Sequence, residues 1–253
     1  MILHYQLTGQ GPLVVLVHGL FGSLENLGGV ARALSEHFQV LNVDVRNHGR
    51  SAHSDEMNYS LMAADLSETL DDLGLRPFAV LGHSMGGKLA MEFALRHPEQ
   101  LDRLIVADIA PVSYSARHST VFAGLNQVDL LHIANRGEAD QQMAQHIVEP
   151  GVRQFLLKSL EKTDNGFRWR FNLAALQQQY PQLINAPQAG GQFNGKVLFI
   201  KGAESDYILP EHRPTILGLF PQAQAKIIQG TGHWLHAEKP SAFNKLVSDF
   251  LLT

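Results

Sequence analysis

No cysteine occurs among the 253 residues. Its absence removes a disulfide scaffold, a thiolate nucleophile, a cysteine-ligated zinc and an iron–sulfur centre. Charge is sparse and nearly balanced: 20 Lys and Arg face 24 Asp and Glu, 17% of residues, for a net −4. Such a chain, with a pI near 6.3, lacks the basic surface that nucleic-acid binding requires. No apolar run approaches the roughly 18 residues of a membrane span; the longest near the start is Leu13–Val17. Met1–Tyr5 carries no basic region followed by an apolar stretch, so no secretory signal is visible. There is no run of like charge, no low-complexity tract and no internal repeat of roughly 20–50 residues. The expectation is a soluble, bacterial-style cytoplasmic protein, monomeric or weakly dimeric, with no nucleic-acid partner and no membrane span.

What is present is apolar material, 45% of the chain, enough for one sizeable core with an inserted lobe. Short apolar runs bounded by turn residues predict buried strands at Leu13–Val17, Gln39–Val43, Phe78–Leu81, Leu104–Ala107, Val197–Ile200 and Ala225–Ile228, with a weaker one over Ile2–Leu7. Helical patterns lie between them. Leu61, Leu66, Leu70 and Leu73 form an apolar stripe after an N-cap at Asn58 or Ser60. Met85–Leu95 is apolar on most sides and stops at His97-Pro98. Phe243, Leu246, Val247 and Phe250 follow helical spacing after Pro240. Alternation of strand and helix predicts a mostly parallel α/β sheet covered on both faces.

Residues 112–187 break the alternation. Helical patches at Val121–Leu131, Glu138–Val148, Val152–Leu160 and Leu173–Leu183 stand there without a convincing buried strand. The division this predicts is a core of residues 1–111 and 188–253 with a helical cap over 112–187. The cap is rich in Gln and poor in apolar surplus, which predicts a mobile lid over the carboxyl ends of the strands.

The sharpest chemical signal is Gly82-His83-Ser84-Met85-Gly86-Gly87. It matches G-x-S-x-G between a predicted strand and a predicted helix. A strand that turns abruptly into a helix projects its central side chain clear of the backbone and crowds the residues two before and two after, so these must be very small. Ser84 then sits at a helix N-terminus, where developing negative charge is favoured. The competing reading, a chance pentad in a loop, does not supply the strand–helix context.

A serine hydroxyl needs a base. His233, in Gly230-Thr231-Gly232-His233-Trp234, follows the last predicted strand on a loop able to turn the imidazole toward the strand ends. His18 and His83, beside glycines, read as structural. His236 lies three residues beyond His233, but no third ligand has matching spacing, so no metal site is expected. The base needs an acid to fix its tautomer. Asp108 ends the strand Leu104–Ala107, and Asp206 lies just beyond the strand Val197–Ile200; either keeps the order serine, acid, histidine, and the residues alone do not choose. For the oxyanion, the N–H of Met85 is one donor, and the loop His18-Gly19-Leu20-Phe21-Gly22 supplies the other, from Leu20 or alternatively Phe21.

These phrases together resemble the α/β-hydrolase superfamily, and within it the YbfF-like esterases. The resemblance is carried by His18–Ser23, Asp44–Gly49, Asp108–Pro111, Phe155–Ser159, Trp169–Asn172 and Gly232–Pro240, besides the pentad itself. It implies the α/β-hydrolase fold and a cofactor-free esterase or thioesterase acting on small acyl substrates, acyl-CoA-type thioesters among them. It also implies an acid after the strand next to the nucleophile strand, which corresponds to Asp108; in much of the wider superfamily the acid stands where Asp206 does. The local match favours Asp108, with Asp206 as the alternative.

Weaker signals remain. Asp44 and Arg46 read as loop ties and Gly49 as a turn, with Asn47 or His48 as lesser candidates for substrate contact. Lys88, four residues after Ser84 on the same helix, either supports the site from behind or, more commonly for such a lysine, runs out to solvent. Of Phe21, Tyr114, Phe122, Phe155, Trp169, Tyr207 and Trp234, two or three are expected to line an acyl pocket, with Phe21, Trp234, Tyr207 and Trp169 foremost. Serine at position 84 argues against dehalogenase and epoxide-hydrolase chemistry, which would use an aspartate there. No dinucleotide or P-loop motif occurs. Two other functions fit the same residues: a ligand sensor with little turnover, and a perhydrolase or carbon–carbon bond hydrolase using the same triad.

Overall fold

A computed structural model describes residues 1–253. In chain order, β1 (Tyr5–Thr8) and β2 (Leu13–Val17) precede α1 (Gly28–Leu34), β3 (Gln39–Val43), α2 (Tyr59–Asp72), β4 (Pro77–His83), α3 (Met85–Arg96) and β5 (Arg103–Ala107). There follow α4 (Ser119–Gln127), α5 (Arg136–Met143), α6 (Pro150–Leu157), the hairpin β6 (Leu160–Thr163) and β7 (Gly166–Trp169), and α7 (Leu173–Leu183). The chain closes with β8 (Lys196–Gly202), α8 (Arg213–Leu219), β9 (Ala223–Ile228), α9 (Leu235–Glu238) and α10 (Pro240–Leu252). Seven strands form one sheet in the order β1-β3-β2-β4-β5-β8-β9. Only β1 runs antiparallel to its neighbour; the other pairs are parallel. No helix is long and apolar enough to cross a membrane.

The period of two along each strand divides the core. Val15, Val17, Val80 and Val106 face α2 and α3, and Phe199 in the same cluster packs on Phe220 just after α8, while Val14, Leu16, Leu81, Ile105 and Ile200 face α1 and α10. Both faces are covered, so the central strands carry apolar residues at nearly every position, as parallel sheets require. Asn58 caps α2, its side chain accepting from the Leu61 N–H at 2.9 Å. This bond satisfies a helix-end donor and contributes about 1 kcal/mol.

Three expectations are corrected. The first strand lies at Tyr5–Thr8 rather than Ile2–Leu7. The last, β9, is not buried: it is the sheet edge, and Gln224 to Ile227 face solvent. The segment between β5 and β8 is not wholly helical, because β6 and β7 pair antiparallel across the turn Asp164-Asn165, with Thr163 opposite Gly166. The segment packs against the sheet. Phe122, Leu125, Met143, Leu156, Trp169, Phe171 and Leu176 are buried and continuous with the core on the α2–α3 side of the sheet. Its many polar residues are the outer surface of a firmly packed layer.

Candidate active site

Steric crowding builds the turn that carries Ser84. A Cβ on Gly82 would stand 2.0 Å from the Gly86 carbonyl oxygen, and one on Gly86 would stand 2.3 Å from that of Val17. With no side chains there, β4 turns directly into α3, and Ser84 takes φ +54°, ψ −120°. This is a left-handed φ for a residue with a Cβ, a strain that persists only where the surroundings over-determine it. Asp108 shows the same feature, with φ +53° one residue after β5.

Ser84, His233 and Asp108 come together at the carboxyl edge of the sheet. Ser84 Oγ lies 2.9 Å from His233 Nε2. His233 Nδ1 donates to Asp108 Oδ2 at 2.7 Å, which leaves Nε2 free to accept the serine proton. Asp108 is fully buried. Its Oδ1 accepts from the Gly202 N–H at 3.0 Å, and its Oδ2 also accepts from the Ser205 hydroxyl. Three donors thus converge on the buried carboxylate and take the place of water around it. Ser205 was not legible as part of the site; no motif marks it. Asp206, the alternative acid, does not reach His233. It is exposed and pairs with Arg117 Nη1 at 2.8 Å.

Neighbours fix the imidazole. The Tyr207 ring stacks on it at 4.1 Å between centroids and 23° between planes. His83 Nε2 donates to the His233 backbone carbonyl at 2.8 Å. Burial first, then the adjacent His236 and His233, push the pKa of His83 well below its usual range, so it stays neutral. His236 packs edge-on to His83 at 4.5 Å.

The Leu20 N–H has no acceptor within the protein, whereas the Phe21 N–H donates to His48 Nε2 at 3.1 Å. Phe21 is thus not a free oxyanion donor. Met85 opens α3, where the first N–H groups have no intrahelical acceptor. His48 is buried and its pKa is pushed down to about 3, chiefly by desolvation and then by neighbouring His18. His18 accepts from the Val45 N–H at 3.1 Å and faces the Gly19 carbonyl through Nδ1 at 2.8 Å.

A cavity of about 310 Å³ opens at Ser84 and His233, with Phe21, Phe155, Tyr207 and Trp234 in its wall. A smaller one of about 40 Å³ also borders Ser84, walled by Met85, Lys88, Tyr114 and Tyr180. Trp169 lines neither. It stacks on Phe171 at 5.4 Å, inside the packed layer. Asn47 and His48 are buried away from both cavities, and Asp44 and Arg46 tie loops. Asp44 accepts from the Leu24 and Arg50 N–H groups, and Arg46 makes paired bonds to Asp65 at 2.6 and 2.8 Å.

Lys88 does not run out to solvent. It is buried, donates to the Ile184 and Asn185 carbonyls at 2.9 and 2.6 Å, and lies 4.7 Å from the Tyr114 ring centroid. Burial pulls its pKa down to about 7. Helical periodicity gives the angle of this side chain but not the segment that lies over it.

A family model described as the alpha/beta hydrolase fold matches residues 12–240. Esterase YbfF of Escherichia coli is 43% identical, covering 94% of this chain and 92% of its own. An sn-1-specific diacylglycerol lipase of Mus musculus is 41% identical, covering 95% of this chain and 81% of its own. Among solved structures, a marine microorganism esterase superposes with a TM-score of 0.95 at 36% identity, covering 98% of this chain and 99% of that one.

Proposed function

The chain belongs to the α/β-hydrolase family and is a carboxylic ester hydrolase, and on that premise we propose that it cleaves small carboxylic esters and thioesters through an acyl-enzyme on Ser84. The observation that carries this reading is the continuous hydrogen-bond chain Ser84–His233–Asp108, at 2.9 and 2.7 Å.

Ser84 Oγ attacks the acyl carbonyl carbon while His233 Nε2 takes its proton. The carbonyl π pair moves onto oxygen, and the oxyanion is met by the N–H groups of Leu20 and Met85, one such donor being worth roughly 3 kcal/mol in the transition state. Collapse of the tetrahedral adduct expels the alcohol or thiol, which receives the proton from His233. A water then gives its proton to His233 and attacks the acyl carbon. The second collapse returns the proton to Ser84 and frees the acid. Asp108 holds the imidazole in one tautomer and stabilises the imidazolium in both halves.

Residues 112–187 act in this reading as a cap that walls the substrate cavity, through Phe155 among others, over a core of 1–111 and 188–253. A cavity of about 310 Å³ sits at the small end of the roughly 300–1,000 Å³ found for small-molecule sites, which favours short substrates over long acyl chains. Phe21, Tyr207 and Trp234 are the apolar contacts.

Matched acetyl, butyryl and palmitoyl nitrophenyl esters and the corresponding CoA thioesters test the substrate class. Both series are turned over, and kcat/KM for butyryl exceeds that for palmitoyl by at least about tenfold. A preference for palmitoyl, or turnover of neither series, contradicts the reading.

A further inference from the structure

Two residues beside the site share an unusual backbone. Phe21 has φ +63° and Asn47 has φ +64°, and both are buried. Residues with a Cβ hold such angles only under external constraint. In both cases part of that constraint comes from residues between β5 and β8. The Ser159 hydroxyl, just after α6, donates to the Phe21 carbonyl at 2.9 Å. The Asn172 N–H, just before α7, donates to the Asn47 carbonyl at 2.9 Å.

The clamp on Phe21 is two-sided. Its N–H is held by the neutral Nε2 of His48 at 3.1 Å, and its carbonyl has no donor in the protein other than Ser159. Ser159 is itself buried and fixed. Its N–H donates to the Leu156 carbonyl at 2.9 Å, and its own carbonyl accepts from the Arg170 N–H at 2.8 Å. Arg170 in turn donates two hydrogen bonds to the Glu25 carboxylate, both at 2.9 Å, on the chain just past Phe21. Phe21 is therefore held on both sides: the N–H of the Leu20–Phe21 peptide is tied to the core, and the carbonyl of the Phe21–Gly22 peptide to the inserted layer. The preceding peptide, Gly19–Leu20, carries the unpartnered Leu20 N–H, and Leu20 lines the same cavities as Ser84.

We propose that Ser159 is a positioning residue for ester hydrolysis: its hydroxyl holds the Phe21 carbonyl and so keeps the strained turn that aims the Leu20 N–H at the oxyanion. This rests on the reading of Leu20 as an oxyanion donor. It makes the inserted layer a fixed part of the transition-state site, not only the roof of the substrate cavity. Ser159 touches no reacting atom; its effect falls on the geometry of a donor that matters most when charge develops.

The test compares Ser159→Ala, Ser159→Cys and Ser159→Thr with the wild type. The readouts are kcat and KM for a butyryl ester, the inhibition constant of an alkyl trifluoromethyl ketone, which adds Ser84 to form an oxyanion, and that of the corresponding methyl ether, which cannot. Misplacing one preorganised group lowers turnover by up to about 10²-fold. Ser159→Ala and Ser159→Cys are expected to lose about 10- to 100-fold in kcat, with KM little changed. Ketone affinity should fall by the same factor and ether affinity should hold. Ser159→Thr, which keeps the hydroxyl, is expected to recover most of the loss. Should the alanine variant fold poorly, the near-isosteric cysteine variant carries the comparison. Wild-type kcat and ketone affinity in the alanine or cysteine variant, with the wild-type enzyme still favouring ketone over ether, would overturn the role of Ser159 alone. A wild-type enzyme that binds ketone no better than ether overturns the oxyanion site and this proposal with it.

Discussion

Ser84→Ala is expected to lower kcat for a short-chain nitrophenyl ester by about five to six orders of magnitude, the scale seen when a triad nucleophile is removed. Ser84 Oγ is the hydroxyl bonded to His233 Nε2, and it projects from a turn whose geometry is set by Gly82 and Gly86, not by the serine side chain. Alanine meets the same φ as serine and leaves the His233–Asp108 pair in place, so the fold should persist. The thermal transition is therefore expected to stay close to that of the wild type while turnover collapses toward the rate that oxyanion donors and binding alone sustain. Activity that survives the substitution, measured on a protein shown to be folded, contradicts a serine nucleophile at this position.

Asp108→Asn and Asp206→Asn should diverge widely. An asparagine at 108 keeps the volume and can still accept from the Gly202 N–H. Facing Nδ1 of His233, its amide either donates to the ring or leaves the Nδ1 proton poorly held. The first arrangement moves the proton to Nε2, where it blocks acceptance from Ser84. Loss of the correct tautomer and of the charge opposite the imidazolium is expected to cost about 10⁴-fold in kcat. Asp206→Asn removes an exposed ion pair with Arg117, and such pairs contribute about 0–1 kcal/mol. Its kcat should stay within a few-fold of wild type. The reverse pattern, a large loss only at Asp206, would assign the acid to the other loop.

How far the sequence reached depends on whether a property is local. The G-x-S-x-G turn was legible because its glycines answer a clash between adjacent backbone segments, and the strand–helix context lies within a few residues. The choice between Asp108 and Asp206 was not legible in the residues alone. It depends on where β5 and β8 end relative to each other, since the Gly202 N–H at the end of β8 is what holds the Asp108 carboxylate. The choice between the two readings of Lys88 is not legible for a similar reason, because the carbonyls that receive it come from residues 184 and 185. The apolar run at Ala225–Ile228 marks a strand but does not tell edge from centre. The hairpin turn Asp164-Asn165 joins strands of only four residues each with charged residues among them, too short for an alternating pattern to show. Trp169 looks like a pocket aromatic by composition, yet the same hairpin turns it onto Phe171.

In the proposed mechanism the hydroxyl of residue 84 is made nucleophilic by a histidine 149 positions further along the chain. Peptide mapping after reaction with diethyl nitrophenyl phosphate examines this directly, since the reagent forms a stable phosphoryl ester with an activated serine and releases nitrophenol. One phosphoryl group per chain, on the peptide containing Ser84, with His233→Ala reacting far more slowly, is the result expected. Labelling at a different residue, or equal labelling with and without His233, would contradict it.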